Sequence, residues 1–264
     1  MSYFSSKIVW VTGASSGIGE ALCYELDKAG AQLILSSRNI QELVRVKEKL
    51  SNPNAIILPI DLAKTDNLQQ AVNDAIQQVG QIDILINNGG ISQRSLAAET
   101  KEEVDRRIMD VNYFGAVALT KYVLPHMLNR NSGHIITVSS VTGLYGTPYR
   151  SAYAASKHAL HGFFDSLRAE LNRQNIHVTL ICPGFVKTPI TINALTGNGE
   201  PLNQMDIGTS SGLAPDYFAK KMLQAIANRK NRKVIGGAKE KFGVFMKRFF
   251  PSLFDKLIVR ISVR

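Results

Sequence analysis

Short apolar runs alternate with longer amphipathic stretches along most of this chain. Apolar runs of strand length lie at residues 8–11, 33–35, 56–60, 82–86, 134–139, 176–181 and 233–235. Helical spacing of apolar residues occurs at residues 17–28, 39–50, 66–79, 101–129, 151–173 and 215–228. Continuous apolar strands separated by helices are typical of a parallel sheet that is covered on both faces. The pattern predicts an α/β fold with right-handed crossovers.

The length and the spacing of these elements predict one main domain. A chain of 264 residues fits one large α/β domain or two small ones. No linker-like change of composition occurs before about residue 238, so we expect a single domain over residues 1–238 and a tail over 239–264. Residues 184–213 are rich in Gly, Thr, Asn and Ser and directly follow a strand. This position favours an active-site lid, with a disordered surface insertion as the alternative.

The composition is that of an ordinary globular protein, with 45% hydrophobic and 20% charged residues. The two cysteines, Cys23 and Cys182, lie in apolar stretches, which predicts buried free thiols and a reducing, cytoplasmic location. Neither they nor the five histidines have metal-ligand spacing, so no metal is expected. A strand-like run begins at about residue 7, and we expect no secretory signal.

The net charge of +10 is concentrated near the carboxyl terminus. Residues 229–264 contain 11 Lys and Arg residues against two acidic ones, so the remainder of the chain is close to neutral. A uniform basic groove for nucleic acid is therefore not expected.

The tail itself mixes apolar with basic residues. Apolar side chains are supplied by Phe245, Met246, Phe249, Phe250, Leu253, Phe254, Leu257 and Ile258, and basic ones by Lys247, Arg248, Lys256 and Arg260. Pro251 should break or kink a helix there. Two interpretations remain open. Short amphipathic helices contact an anionic membrane surface, or their apolar side packs on this domain or on a partner subunit.

A glycine-rich turn joins the first predicted strand to the first helix. The candidate cofactor-binding residues of this turn are Gly13, Ser15, Ser16, Gly17, Ile18 and Gly19. Glycines allow a tight turn and close approach to a pyrophosphate, which the free N–H groups of a helix N-terminus bind. The alternative is a purely structural strand-to-helix turn.

Three further strand ends supply candidate contacts to a dinucleotide. Arg38 follows the second strand where an acidic residue often binds the ribose 2′-hydroxyl, and an Arg there accommodates a 2′-phosphate. We therefore expect NADP(H), although a solvated Arg is the alternative. Asp61, followed by Leu62, either accepts from the adenine amino group or caps the next helix. Asn88 and Gly89 let the backbone approach the ribose and nicotinamide.

Tyr153 and Lys157 lie four residues apart at the start of a helix and so share one face. An ammonium group beside a tyrosine hydroxyl lowers its pKa and allows proton transfer near neutral pH. Ser140 ends the preceding strand and offers a hydroxyl that polarises a substrate oxygen. Alone, such a Tyr and Lys pair more commonly forms an exposed amphipathic face. The three residues carry weight together because they follow a dinucleotide-binding turn in order.

These ordered motifs resemble the short-chain dehydrogenase/reductase family. The resemblance spans about residues 7–236 and rests on residues 12–19, 87–90 and 183–184, with Asn112, Ser140, Tyr153 and Lys157. It implies a doubly wound, seven-stranded parallel sheet and hydride transfer between a nicotinamide and a carbonyl or alcohol carbon. It also implies homodimers or homotetramers formed through the helix that carries Tyr153.

The resemblance also implies residue roles. Tyr153 is similar to the general acid/base, Lys157 to the residue that lowers its pKa and holds the nicotinamide ribose, and Ser140 to the substrate-polarising hydroxyl. Asn112 resembles the residue that kinks a helix and supports a water-linked relay to Lys157. The segment that grips the nicotinamide amide and pyrophosphate is represented by Pro183, Gly184 and Thr188. Gly90 stands where Ala is more usual.

Residues 87–95 resemble the dehydrogenase/reductase member 7 branch of the family, whose animal members reduce apolar carbonyls and steroids at membranes. The leading hypothesis is an NADPH-dependent reductase of an apolar ketone or a steroid- or lipid-like carbonyl, or the reverse dehydrogenase. A 3-oxoacyl-thioester reductase shares every motif and stays open. So does a non-catalytic dinucleotide-sensing protein, against which the complete set of Ser140, Tyr153 and Lys157 argues.

Overall fold

A computed structural model describes residues 3–259 of the chain. Seven parallel strands form one sheet in the order β3-β2-β1-β4-β5-β6-β7. The strands are β1 (Ile8–Thr12), β2 (Gln32–Ser36), β3 (Ile56–Ile57), β4 (Ile84–Asn87), β5 (Gly133–Val138), β6 (Ile176–Pro183) and β7 (Arg232–Ile235). The seven-stranded, doubly wound parallel sheet implied by the family resemblance is confirmed.

Helices cover both faces of the sheet. They are α1 (Gly17–Lys28), α2 (Ile40–Lys47), α3 (Leu68–Val79), α4 (Glu102–Met109), α5 (Gly115–Asn129), α6 (Ser151–Glu170), α7 (Ile207–Ser210), α8 (Pro215–Ala227), α9 (Ala238–Phe249) and α10 (Pro251–Ile258). Short 3₁₀ turns occur at Thr65–Asn67, Ala97–Glu99 and Val141–Gly143. A π-helical turn, Asp110–Phe114, joins α4 to α5.

Two hydrophobic layers hold this architecture together, one on each face of the sheet. Because successive strand side chains point to opposite faces, Val9 and Val11 of β1 enter one layer with α1, α2 and α8. Trp10, between them, enters the other layer with α3, α5 and α6. Every residue of β1 is buried, which explains its uninterrupted apolar run.

Element boundaries differ from the prediction at the sheet edge and at helix ends. The third strand was predicted over residues 56–60, but β3 contains only Ile56 and Ile57. It is an edge strand beside β2, and the chain beyond it keeps one bond to β2, from Leu58 N to Leu35 O, and one to the residue after β2, from Ile60 N to Ser37 O. The helix α2 ends at Lys47 rather than at residue 50, and α6 ends at Glu170 rather than at residue 173.

The helix predicted over residues 101–129 is divided by the π-helical turn Asp110–Phe114. Such turns insert one extra residue into an α-helix and often mark functional sites. Asn112 lies within this turn and is buried, with its side chain bonded to Ile91 and to Ser156 of α6. The implied helix distortion at Asn112 is therefore present as a local change of helical pitch.

Residues 184–213, hereafter the lid segment, fold back over the carboxyl ends of the strands. Single β-bridges pair Gln93 with Leu195 and Val186 with Leu213, and α7 forms a short turn within the segment. Thr191 and Ala194 are fully buried. These contacts give the segment a defined position and do not fit a disordered insertion.

The tail forms α9 and α10, separated at Pro251 as the sequence predicted. Met246 and Phe254 are buried against Val141 and Tyr145, so one side of the tail packs on the main domain. The ring centroids of Tyr145 and Phe254 are 5.1 Å apart. Arg260, predicted as part of the basic tail, lies outside the described residues.

Candidate active site

One large cleft of about 1530 Å³ lies at the carboxyl ends of the strands. In doubly wound sheets ligands bind at this edge, where the strand order reverses. Sixteen of the eighteen predicted site residues line the cleft, and the two exceptions, Gly19 and Asn112, lie behind its wall. The volume exceeds that of a single small-molecule pocket and leaves room for a dinucleotide beside a substrate.

The glycine-rich turn forms one end of the cleft. Gly13 and Gly17 adopt positive φ angles of 64° and 59°, a backbone conformation that L-residues rarely adopt. A Cβ atom on Gly19 would collide with the carbonyl oxygen of Gly13. The turn therefore requires glycine for its own closure as well as for access by a ligand.

The N-terminus of α1 faces this turn with free donors. Ser16 occupies the N-cap position, but its side chain makes no capping hydrogen bond. Ser15, Ser16, Gly17 and Ile18 line the cleft, so the first N–H groups of a 12-residue helix point toward it. This arrangement fits the pyrophosphate of a nicotinamide dinucleotide.

Arg38 lies exposed at the rim of the same end of the cleft. Within residues 3–259 its guanidinium has no ion-pair partner. Arg45, in contrast, pairs with Glu20 at 2.7 Å and Glu42 at 2.7 Å. Arg38 is thus the cation at this rim that remains available to a ligand phosphate.

Asp61 and Leu62 line the cleft next to this rim. The Asp61 carboxylate accepts a hydrogen bond from Ala63 N at 3.1 Å and stabilises a local turn. It does not cap the following helix, whose N-cap residue is Asn67, so that alternative was wrong. The adenine contact stays a prediction.

Asn88 and Gly89 connect the end of β4 to the glycine-rich turn. The Thr12 hydroxyl accepts hydrogen bonds of 3.0 Å from the backbone N–H groups of both residues, and Asn88 Nδ2 donates to Thr12 O at 2.9 Å. A Cβ atom on Gly89 would lie 2.6 Å from Leu62 Cδ1. Glycine at this position therefore lets the segment after β4 lie close to Leu62.

Pro183 ends β6, Gly184 begins the lid segment, and both line the cleft. Thr188 is buried, and its Cβ lies 3.0 Å from the position that a Cβ of Gly17 would occupy. The lid segment thus touches the glycine-rich turn and closes over the place where a pyrophosphate would bind.

Ser140, Tyr153 and Lys157 meet at the other end of the cleft. All three side chains are buried yet line it. Ser140 ends the segment after β5, and its hydroxyl accepts from Thr142 N at 3.1 Å. Lys157 Nζ donates to the carbonyl oxygen of Val138 at 2.9 Å and lies 5.7 Å from the centre of the Tyr153 ring.

The electrostatics of this group involve more residues than the expected pair of Tyr153 and Lys157. Burial raises the pKa of Tyr153, opposed by the positive charges of Arg150 and Arg94 and by the Ser140 hydroxyl. Burial lowers the pKa of Lys157 to about 8. Arg150 and Arg94 are therefore cations that favour a Tyr153 phenolate, in addition to the expected Lys157.

Asn112 lies behind the wall of the cleft near Lys157. Its Oδ1 accepts from Ile91 N at 2.8 Å, and its Nδ2 donates to Ile91 O at 2.9 Å and Ser156 Oγ at 3.0 Å. A Cβ on Gly90 would lie 3.0 Å from Asn112 Oδ1 and 3.5 Å from Lys157 Nζ. Asn112 therefore approaches Lys157 across Gly90, while the implied water-linked relay stays a prediction.

A buried ionic cluster beside Tyr153 was not found from the sequence. Arg94 and Arg150 both contact Asp206 Oδ2, at 2.6 and 3.3 Å. The two arginines line the cleft, and the Nε atom of each is buried without a hydrogen-bond partner. The cluster joins the segment after β4, the start of α6 and the lid segment, and its net charge is positive.

Gln93 was also missed as a functional residue. It is fully buried, and its Oε1 accepts from Ala152 N at 2.9 Å and Tyr153 N at 3.3 Å. The N-cap residue of α6, Arg150, makes no capping bond with its own side chain. Gln93 therefore supplies the acceptor that the start of α6 needs and fixes the helix that presents Tyr153.

No group of three or more potential metal ligands occurs within residues 3–259. Cys23 and Cys182 are buried free thiols, as predicted from their apolar surroundings. Across the same residues, no helix has both the length and the apolar character needed to cross a membrane.

The short chain dehydrogenase family model matches residues 7–198 of this chain. The chain belongs to the short-chain dehydrogenase/reductase family of oxidoreductases. It is 42% identical over 264 residues to dehydrogenase/reductase SDR family protein 7-like of Drosophila melanogaster, covering 98% of this chain and 81% of the relative. It is 49% identical over 200 residues to human dehydrogenase/reductase SDR family member 7, covering 73% and 59%. The chain is therefore a member of the predicted member 7 branch.

Solved structures show the same fold. A short-chain dehydrogenase/reductase from Burkholderia phymatum in complex with NAD superposes with a TM-score of 0.86 at 24% identity, covering 96% of both chains. An alcohol dehydrogenase from Thermococcus sibiricus complexed with 5-hydroxy-NADP gives a TM-score of 0.75 at 21% identity, covering 89% of this chain and 97% of its own. At these identities the likeness extends to the fold alone.

Proposed function

We propose that this oxidoreductase transfers a hydride between NADP(H) and a carbonyl or alcohol substrate. The observation that carries the proposal is the single cleft that joins two chemically different ends. One end has free donors of α1 and the unpaired Arg38, and the other has Ser140, Tyr153 and Lys157. This arrangement suits a dinucleotide that extends along the cleft toward a reacting carbon.

The preference for NADP(H) is argued from Arg38. β2 ends at Ser36, and Ser37 and Arg38 follow it, so the positions directly after this strand hold no carboxylate that would bind a ribose 2′-hydroxyl. A guanidinium binds phosphate through two parallel hydrogen bonds. The neighbours of known structure bind NAD in one case and 5-hydroxy-NADP in the other, so their ligands favour neither choice.

The residues of the chain provide the proton chemistry. The bound dinucleotide supplies the hydride for carbonyl reduction and accepts it for alcohol oxidation. In reduction, the Tyr153 hydroxyl donates its proton to the carbonyl oxygen while Ser140 donates a hydrogen bond to the same oxygen. Burial keeps Tyr153 protonated at neutral pH, and the positive charges of Arg150 and Arg94 stabilise the phenolate that remains.

The apolar part of the cleft wall favours an apolar substrate. Ile91, Phe185, Val186, Ile190, Leu195 and Pro201 line the cleft. An apolar ketone, steroid or other lipid-like carbonyl buries its hydrocarbon surface against such a wall. A 3-oxoacyl thioester is the second candidate class, since its β-carbonyl presents the same reacting group.

A substrate panel tests the proposal. We expect NADPH oxidation with at least one apolar ketone or steroid in a panel that also contains aldehydes, quinones and 3-oxoacyl thioesters. Tyr153→Phe keeps the ring and removes the proton donor, so turnover should fall about 10²–10⁴-fold. Retained activity in this variant would refute the mechanism. Binding of NADPH without turnover across the panel would instead favour a dinucleotide-sensing protein.

The assembly and location are proposals of the same kind. A cytoplasmic location fits the free thiols of Cys23 and Cys182, because a reducing compartment keeps thiols reduced. The homodimer or homotetramer is proposed from the family resemblance alone. Light scattering coupled to size-exclusion chromatography measures the mass in solution. A monomer over the whole concentration range would exclude the oligomer.

A further inference from the structure

The two helices of the tail leave a concentrated apolar surface uncovered. Sixteen large apolar side chains are exposed within residues 3–259, and seven of them lie between positions 242 and 259. These seven, hereafter the outer face, are Phe242, Phe245, Phe249, Phe250, Leu253, Leu257 and Val259, with exposed fractions of 42–69%. Such a density of exposed apolar groups on a globular protein marks an interaction surface.

The outer face is organised rather than accidental. Phe242, Phe245 and Phe249 follow the i, i+3, i+7 spacing that places side chains on one side of a helix. The rings of Phe245 and Phe249 lie 4.9 Å apart, and that of Phe250 lies 6.1 Å from Phe245. Aromatic rings in contact with each other and with solvent form a preassembled apolar patch.

The opposite side of the tail is fixed to the domain. Met246 and Phe254 are buried against Val141 and Tyr145, and Lys247 Nζ joins α9 to α10 through Asp255 at 2.8 Å. The helices therefore cannot turn the outer face inward without uncovering these buried side chains. Packing on the main domain was one of the two roles expected for the tail. It uses one side of the two helices and leaves the outer face free to bind another surface.

The charges around the outer face are mainly positive. α9 and α10 carry five Lys and Arg residues against Glu240 and Asp255. Asp255 is paired with Lys247, and Glu240 accepts from Phe185 N at 3.3 Å. The remaining cations, Lys239, Lys241, Arg248 and Lys256, are exposed, and no acidic side chain within residues 3–259 lies within ion-pair distance of them.

We propose that the outer face docks on an anionic lipid surface, with its aromatic and aliphatic side chains in the headgroup region and its basic side chains on lipid phosphates. Apolar residues flanked by Lys and Arg are the composition of interfacial helices. A second copy of the chain is less suited, because a two-fold interface places each patch against itself and would oppose like charges. Anionic lipid satisfies both the apolar and the charged groups.

The docking would orient the cleft. Phe185 lines the cleft, its ring lies 5.5 Å from the Arg150 guanidinium, and its backbone N–H donates to Glu240 of α9. The helix that carries part of the outer face therefore begins beside the lid segment. Delivery of a lipid-soluble carbonyl from the bilayer into the cleft rests on the proposed function, but the docking itself does not.

Co-sedimentation of the full chain with vesicles tests the docking. One vesicle contains phosphatidylcholine alone, and the other contains about one third phosphatidylserine. We expect strong binding only to the second, weakened at high salt because surface charges are then screened. Lys241→Gln/Arg248→Gln should weaken binding about 25-fold, since each surface cation contributes roughly a factor of five.

Apolar variants separate the outer face from general stickiness. Phe245→Ser/Phe249→Ser should weaken binding to anionic vesicles at least tenfold without a change in melting temperature. Tyr217→Ser/Leu128→Ser removes two exposed side chains elsewhere and should bind as the unchanged protein. Equal binding by both double variants would overturn the proposal. Absence of binding to both kinds of vesicle would also overturn it. A dimer that forms without lipid and is abolished by Phe245→Ser/Phe249→Ser would overturn it as well, because the outer face would then bind a second copy of the chain.

These readouts are independent of turnover. A chain that binds vesicles but reduces no carbonyl would leave the docking intact and contradict the proposed function. A chain that reduces carbonyls but does not bind anionic vesicles would support the proposed function and contradict the docking.

Discussion

The guanidinium of Arg94 and the carboxylate of Asp206 form a 2.6 Å ion pair between the segment after β4 and the lid segment. Their side chains are only 7% and 3% exposed. A buried pair is costly to break, because the remaining partner keeps its charge without solvent. The pair therefore ties the position of the lid segment to the residues that surround Tyr153.

We expect Asp206→Asn to destabilise the protein by about 3 kcal/mol, because it leaves Arg94 and Arg150 buried without a counter-charge. Denaturant unfolding measures the loss, and hydrogen exchange should increase first in residues 184–213. Glu102→Gln, which breaks an exposed i, i+4 pair with Arg106, is the matched control and should cost less than about 1 kcal/mol. Equal losses in the two variants would contradict a special role for the buried pair.

We expect Gln93→Leu to lower kcat more than it changes KM. The substitution removes the acceptor for Ala152 N and Tyr153 N and loosens the first turn of α6, at about 1 kcal/mol of stability. Gln93→Glu retains an acceptor oxygen at the same place and should recover much of the rate. Steady-state kinetics of both variants test this. An unchanged kcat in Gln93→Leu would show that α6 does not need this contact.

Arg38 is the residue on which the cofactor preference depends. Arg38→Gln should reduce kcat/KM for NADPH by about tenfold or more, since a charged hydrogen bond contributes roughly 1.5–3 kcal/mol. The value for NADH, which has no 2′-phosphate, should change little. Lys47→Gln, a charge change on α2 away from the cleft, should leave the ratio of the two values unchanged. A wild-type preference for NADH would contradict the proposed cofactor.

The pH dependence of reduction follows from the buried Lys157. Burial lowers its pKa to about 8, so its ammonium group is lost as the pH rises through about 8, well below the usual range for lysine. We expect kcat/KM for NADPH in carbonyl reduction, which reports the ionisation of the free enzyme, to be constant below that pH and to fall above it. Lys157→Arg, whose guanidinium stays charged, should move the fall to higher pH. A wild-type profile that remains flat to about pH 10 would contradict this assignment.

The fold was predictable because parallel strands that are buried on both faces have continuous apolar sequences, as in β1 from Ile8 to Thr12. The boundaries were less predictable where hydrogen bonding rather than hydrophobicity ends an element. The apolar residues Leu58 and Ile60 continue beyond β3 but lie at the sheet edge, so the sequence alone suggested a longer strand.

The predicted site residues came from ordered motifs, whereas the missed ones are single polar residues in loops. Arg94 and Asp206 are 112 positions apart and meet only because the lid segment folds back. The composition of either segment gives no sign of this pairing. Gln93 lies within residues 87–95, which carry the resemblance to the member 7 branch. Its capping role, however, depends on the tertiary approach of α6. Local patterns therefore predicted the cofactor turn and the Tyr153 group, and long-range packing determined their electrostatics.

The tail contains one buried and one exposed phenylalanine. Substituting each in turn distinguishes the contribution of the packed side of the tail from that of its exposed side. Phe254 is 4% exposed against Tyr145, and Phe249 is 59% exposed. Phe254→Ala should cost about 3 kcal/mol through lost burial and the cavity left behind. Phe249→Ala should stay within about 0.5 kcal/mol. Urea unfolding of both variants provides the comparison. Val141 and Tyr145 contact Phe254 and follow Ser140 in the chain, so we also expect a lower kcat in Phe254→Ala but not in Phe249→Ala. Equal effects of the two substitutions on kcat would show that the tail does not support the active site.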